Sequence, residues 1–99
     1  MKVYFERSGG FAGIRTSVSL DTDNMSQDES AQLHQMCNNM NFFNLPSKLD
    51  ARTGAADLFR YKITVESKDG THTVETTDLS MTPGLENLVN YLSDKARKQ

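Results

Sequence analysis

The side chains best suited to chemistry in this chain of 99 residues are His34, Cys37 and the pair Asp21 and Asp23. His34 and Cys37 are three positions apart, so both could contact one metal ion from a helix. A zinc site needs three or four ligands, and an apolar helical position favours a buried thiol that acts as a small hydrophobe. We therefore predict no metal site and no cofactor.

The stretch from Asp21 to Asn24, with the sequence DTDN, could bind a cation weakly. It lacks the glycine and the distal glutamate of a calcium loop, and acidic residues before a helix usually form turns and interact with the helix dipole. No G-x-S-x-G motif is present, and Cys37 has no evident base to activate it. Nothing in the sequence supports catalysis, and we predict that the protein is not an enzyme.

A glycine-rich stretch, FERSGGFAG, runs from Phe5 to Gly13 and places Phe11 among three glycines. It is not a dinucleotide-binding motif, because it joins two predicted strands, whereas phosphate binding uses the N-terminus of a following helix. Two interpretations of Phe11 remain open. Its side chain folds back over the sheet edge, or it is presented to a partner as an anchor for a pocket.

Alternation of apolar and polar residues predicts four strands arranged as two hairpins. In the first hairpin, KVYFER and GIRTSVSL are joined by a turn at Ser8-Gly9-Gly10. In the second, LFRYKITVES and THTVETT are joined by a turn at Asp69-Gly70. These turn residues and the period of two are typical of β-hairpins. His72, beside the second turn, is predicted to be a solvated surface residue.

Two amphipathic helices are predicted from capping residues and apolar stripes. Ser26, with Glu29 three positions later, forms a capping box that begins a helix over 27–40. Thr82 and Pro83 are suited to the N-cap and first position of a C-terminal helix. The apolar stripes consist of Leu33, Met36, Cys37 and Met40 in the first helix, and Leu85, Leu88, Val89 and Leu92 in the second.

The predicted order is therefore ββαββα, and the predicted fold is a single α+β domain over residues 1–99. It would contain a four-stranded antiparallel sheet with both helices packed on one face. If each helix runs antiparallel to the strand before it, loop 41–57 begins and ends beside the glycine-rich turn. The link 78–82 returns to that end, whereas the Asp69-Gly70 turn lies at the opposite end. The shared end would form a binding surface, with loop 41–57 as a possible second contact.

Composition excludes several classes of partner. The formal net charge is −2, so there is no basic excess of the kind that binds nucleic acid or an anionic membrane. No apolar run approaches the roughly 20 residues that span a bilayer, and the charged N-terminus is no signal-peptide core. With a single cysteine, these features predict a cytoplasmic protein. We expect it to be monomeric when free.

The stretch VYFERSGGFAGI, from Val3 to Ile14, together with the ββαββα pattern, resembles the emfourin family. These are small bacterial protein inhibitors of protealysin and other thermolysin-like zinc metalloproteases. The resemblance implies a non-enzymatic inhibitor that is made beside a protealysin-like protease and blocks its active-site cleft. Such proteases prefer bulky apolar side chains just after the scissile bond.

From this resemblance we predict that the glycine-rich segment contacts the protease. Glycines allow close backbone approach, and Phe11 with Ala12 would supply the apolar contact. A carboxylate of Asp21 or Asp23 that reaches the catalytic zinc is a competing mechanism, ranked lower because the topology places both residues at the far end. The predicted protease-binding residues are Arg7, Ser8, Gly9, Gly10, Phe11, Ala12 and Gly13.

Two other functions remain open at this stage. The first is an adaptor without a protease target, which would use a sheet edge or the glycine-rich loop to bind another chain. The second is a small ligand-binding α+β domain, which requires a concave apolar pocket.

Overall fold

The computed structural model describes residues 1–9, 15–49, 59–77 and 81–97. Short 3-10 turns at Thr22–Asn24 and Phe42–Asn44 flank the first helix. In chain order the strands and helices are β1 (Lys2–Gly9), β2 (Thr16–Asp21), α1 (Gln27–Asn39), β3 (Lys48–Leu49), β4 (Phe59–Ser67), β5 (Gly70–Thr77) and α2 (Pro83–Arg97).

The sheet has five strands in the order β2-β1-β4-β5-β3, rather than the predicted four. The two predicted hairpins are confirmed as antiparallel pairs, and β1 pairs with β4 at the centre. The additional strand, β3, pairs in parallel with β5 and makes the sheet mixed. The predicted ββαββα order is therefore wrong in detail, because β3 lies between α1 and β4. A two-residue strand is too short to show alternation in the sequence.

The path of the chain after α1 also differs from the prediction. Leu45 accepts a hydrogen bond through its carbonyl from His72 Nε2 at 2.7 Å, and Phe42 packs edge-on against the same imidazole. His72 lies opposite Val65, close to the turn of the second hairpin. The 41–57 segment therefore begins near that turn and not beside the glycine-rich stretch. This path agrees with the parallel pairing of β3, which runs in the same direction as β5, away from that turn.

Both helices contribute to one buried core with one face of the sheet, which confirms the α+β architecture. Ser26 Oγ accepts from the Glu29 backbone N–H at 3.2 Å, so the predicted N-cap is confirmed. The Glu29 carboxylate binds Lys95 Nζ at 2.9 Å and so joins the start of α1 to the end of α2. The fully buried side chains include Val3, Ile63, Val65, Val74, Leu33, Leu85, Leu88 and Leu92.

The sheet has two ends, which we name by their residues. The glycine end is marked by Gly9, opposite Phe59, and by Thr77, opposite Arg60. The hairpin end is marked by the turn between Ser67 and Gly70. No helix in the described ranges is long and apolar enough to cross a membrane.

Candidate functional site

The stem of the glycine-rich stretch, residues 7–9, is part of the central strand β1. Pairing between β1 and β2 stops at Arg7, opposite Thr16, but pairing between β1 and β4 continues to Gly9, opposite Phe59. Gly9 has φ 101°, a conformation that favours glycine. Ser8 and Gly9 were predicted as turn residues; they are strand residues because β4 extends two positions beyond β2 and offers them a partner.

The core-facing side of the stem is held by an aromatic row. The guanidinium carbon of Arg7 lies 5.3 Å from the centroid of the Phe59 ring. Phe59 contacts Tyr61 at 6.5 Å between centroids, and Tyr61 stacks on Phe5 at 6.1 Å. A cation over an aromatic face contributes about 0.5–1 kcal/mol at a partly exposed site. Arg7 therefore packs onto the sheet instead of extending freely into solvent.

The outer side of the same end is polar and carries alternating charge. Neighbouring strands place Glu6 beside Lys62, Lys62 beside Glu75 and Glu75 beside Lys48. Opposite charges across neighbouring strands stabilise a sheet modestly. These residues, together with Ser8, Arg60 and Thr77, line a shallow cleft of about 150 Å³.

One further ion pair extends this charged row toward β2. Arg15 Nε lies 3.5 Å from Glu6 Oε1, and both side chains are largely exposed. Such a pair contributes about 0–1 kcal/mol. Glu6 is thus flanked by cations on both sides, which leaves no uncompensated negative charge in this row.

The predicted contact residues divide into two groups. Arg7, Ser8 and Gly9 lie together at the glycine end, whereas Gly10, Phe11, Ala12 and Gly13 lie outside the described residues. Gly9 and Arg15 flank that segment.

The segments 50–58 and 78–80 are also flanked by residues of this end. Phe59 lies opposite Gly9, Thr77 lies opposite Arg60, and Leu49 lies opposite Thr76. The residues that flank the end of the 41–57 segment and the start of the link before α2 thus lie at the predicted end, while residues 50–58 and 78–80 lie outside the described part of the chain. The prediction is wrong for the beginning of 41–57, which lies near the turn of the second hairpin.

The competing acidic pair lies at the other end of the sheet. Asp21 is opposite Lys2, at the other end of the β1–β2 pairing from Arg7 and Thr16. Asp21 Oδ1 accepts from the Asp23 backbone N–H at 3.0 Å. This bond caps the turn at Thr22–Asn24 and confirms the turn-forming interpretation.

The candidate metal-binding residues of α1 do not form a reactive site. The Cys37 side chain is 5% exposed and belongs to the core. Burial raises the pKa of its thiol to about 11, so the nucleophilic thiolate is scarce near neutral pH. Among the described residues, no group of three or more His, Cys, Asp and Glu side chains could hold a metal ion.

His72 is not the solvated surface residue that its position beside the turn predicts. The imidazole is half-buried and contacts Phe42 and Phe43 at centroid distances of 5.7 and 6.2 Å. The alternation of β5 contains the signal, because His72 shares its face with the buried residues Val74 and Thr76. Phe43 lies beside it and is 42% exposed.

Comparison with known proteins gives one match. The family model described as Emfourin matches residues 5–93, from within β1 into α2. The matched range includes the whole glycine-rich stretch with its stem, and it confirms the family predicted from the sequence. No curated protein and no solved structure matches the chain.

Proposed function

The chain belongs to the emfourin family, and from this premise we propose that it is a proteinaceous inhibitor of thermolysin-like zinc metalloproteases of the protealysin type. Family membership supports a protease-inhibitor role in general. The observation that carries the proposal is the match over residues 5–93, which contains every residue of the predicted contact segment. In this proposal the protein is not an enzyme and blocks the active-site cleft by reversible binding.

The position of the stem supports the glycine-rich segment as the contact. β1 lies between β2 and β4, so the strand that leads into the segment is held on both sides up to Arg7 and on one side up to Gly9. A loop that starts from a fixed strand loses less conformational freedom on binding than one that starts from a mobile segment. An inhibitor without a disulfide needs such a support.

The proposed contact has an apolar part and a backbone part. Phe11 and Ala12 would occupy the apolar cleft that these proteases offer to the residue after the scissile bond. Gly10 and Gly13 would allow the backbone to approach the enzyme closely, with Arg7, Ser8 and Gly9 beside them. With the glycine-rich segment in the cleft, neither Asp21 nor Asp23 would reach the catalytic zinc, because Asp21 lies opposite Lys2 at the hairpin end of the sheet.

The edge of the sheet favours a second candidate function. β2 is the last strand on its side of the five-stranded sheet, so its outer edge is unpaired among the described residues. An unpaired edge is a template for an added strand from another chain. The alternative is therefore an adaptor that binds a partner through β2 and has no effect on protease activity.

Titration of a purified thermolysin-like protease with the purified protein distinguishes these functions. Inhibition predicts a stoichiometric loss of peptidase activity that is reversed slowly on dilution. An adaptor predicts full activity at every ratio. A binding assay on the same samples would show whether contact occurs without inhibition.

We also propose that the free protein is a cytoplasmic monomer. Size-exclusion chromatography with light scattering should then give a mass near 11.1 kDa, and cell fractionation should place the protein with soluble cytoplasmic markers. A mass of twice that value, or recovery from the medium of intact cells, would contradict this part.

A further inference from the structure

We propose that Arg60 is a further contact residue, which pairs with a carboxylate on the rim of the inhibited protease's cleft. This inference rests on the proposed function and names the chemistry of the partner surface beside the glycine-rich segment. Arg60 lies on β4, opposite Ser8 on one side and Thr77 on the other. It is therefore adjacent to the stem and on the outer face of the sheet.

The rows of side chains across the outer face differ in charge. The row nearest the glycine end contains Ser8, Arg60 and Thr77, and the guanidinium is the only charge among these three described residues. The next row is the alternating series described above, in which each carboxylate lies between cations. The row nearest the hairpin end places Lys2 between Asp21 and Glu66. Among the described residues of these three rows, an arginine or lysine without a neighbouring carboxylate occurs only in the row beside the stem.

Arg60 has no ion-pair partner among the described residues. The ion pairs present there join Arg15 to Glu6, Lys95 to Glu29 and Arg97 to Asp94. The Arg60 side chain is exposed, and the carboxylates of the next row in the described sheet, Glu6 and Glu75, already lie beside Lys62. The guanidinium is therefore available to an external anion.

A carboxylate is the anion that fits this position on a protein partner. Arginine presents donors in a planar arrangement that matches a carboxylate in bidentate geometry. Ser8 and Lys48 also line the shallow cleft beside Arg60, and a hydroxyl and an ammonium group can both donate to a carboxylate. An aspartate or glutamate at the rim of a protease cleft would then lie against this cleft while the segment 10–13 occupies the active site.

The test is the rate of association with a thermolysin-like protease, measured from inhibition progress curves at about 50 and about 300 mM salt. We expect Arg60→Gln to lower the association rate roughly two- to fivefold at the lower salt concentration. Arg60→Glu should lower it further, because like charges would then oppose each other. The matched control is Lys68→Gln, which removes one exposed cation from the hairpin end.

The proposal predicts that both Arg60 variants weaken the salt dependence of association, while Lys68→Gln leaves rate and salt dependence unchanged. Equal behaviour of Arg60→Gln and Lys68→Gln would overturn it and leave the proposed function intact. A slower rate accompanied by a lower melting temperature, with unchanged salt dependence, would also overturn it, because the side chain would then act through the fold. No inhibition by the unmodified protein would refute the proposed function itself.

Discussion

The two ends of the sheet differ in how their chain segments are held. At the hairpin end, His72 binds the Leu45 carbonyl, and the Thr22 backbone N–H donates to the Met1 carbonyl at 2.9 Å. At the glycine end, the described strands terminate at Gly9, Phe59 and Thr77, and Arg60 has no ionic partner among the residues the structure describes.

This difference indicates a division of roles. Hydrogen bonds and ring contacts at the hairpin end link segments that are distant in sequence, so this end stabilises the fold. The glycine end presents an unpaired cation, a hydroxyl and a glycine with positive φ beside the predicted contact segment. Substitutions at the hairpin end should therefore change stability without changing inhibition, and substitutions at the glycine end should change inhibition.

The largest effect on stability is expected for Phe42→Ala at the hairpin end. Phe42 is 1% exposed and contacts both Phe43 and His72. Removing a buried phenylalanine ring costs about 3–5 kcal/mol of unfolding free energy. Urea unfolding measures this loss. Under conditions where Phe42→Ala is folded, it should inhibit the protease as strongly as the unmodified protein does. Loss of inhibition at concentrations where the protein is folded would contradict the division of roles.

A second effect concerns alkaline stability and depends on Cys37. Burial raises the pKa of the folded-state thiol from an ordinary value of 9.0 to about 11. Below pH 9 both states hold the proton and the stabilisation is complete. Between these two pH values the unfolded state loses its proton first, so about 2–3 kcal/mol of unfolding free energy should be lost.

Urea unfolding at a series of pH values checks this expectation, with Cys37→Ala as the control. The variant should be less stable at pH 7, because a smaller side chain leaves a cavity. Its stability should then fall less steeply above pH 9. Parallel curves for the two proteins would show that the thiol does not titrate in this window.

A matched pair of glycine substitutions compares the two ends directly. Gly9 has φ 101° and Gly70 has φ 136°, so an alanine at either position is strained and should cost about 1–2 kcal/mol. A Cβ at Gly70 would meet no atom within 4 Å, so its cost comes from the backbone alone. We expect similar losses in melting temperature but weaker inhibition only for Gly9→Ala. Equal inhibition by Gly9→Ala and Gly70→Ala would show that the stem is not part of the protease contact.

Much of the fold was predictable because local signals determine it. Capping by Ser26 and the positions of Leu85, Leu88 and Leu92 define the helices, and alternation with Asp69-Gly70 defines the second hairpin. Ordinary turn chemistry and periodicity suffice for these elements.

The remaining features depend on contacts between distant segments. β3 depends on pairing with β5, in which the Glu75 backbone N–H donates to the Ser47 carbonyl at 2.8 Å and Leu49 lies opposite Thr76. The extension of β1 to Gly9 depends on the length of β4, and the burial of His72 depends on Phe42 and Leu45. Arg60 could be identified as a candidate only when the register showed which residues lie beside it.

The most direct test of the account is an active-site titration of a thermolysin-like protease with three proteins: the unmodified chain, Phe11→Ala and Phe43→Ala. Phe43 is an exposed phenylalanine at the hairpin end, so its removal controls for loss of an aromatic side chain. We expect stoichiometric inhibition by the unmodified chain and by Phe43→Ala. Phe11→Ala should weaken inhibition by about 2 kcal/mol or more, roughly 30-fold, with an unchanged circular dichroism spectrum and melting temperature. Equal inhibition by all three proteins would contradict the assignment of the glycine end as the protease contact.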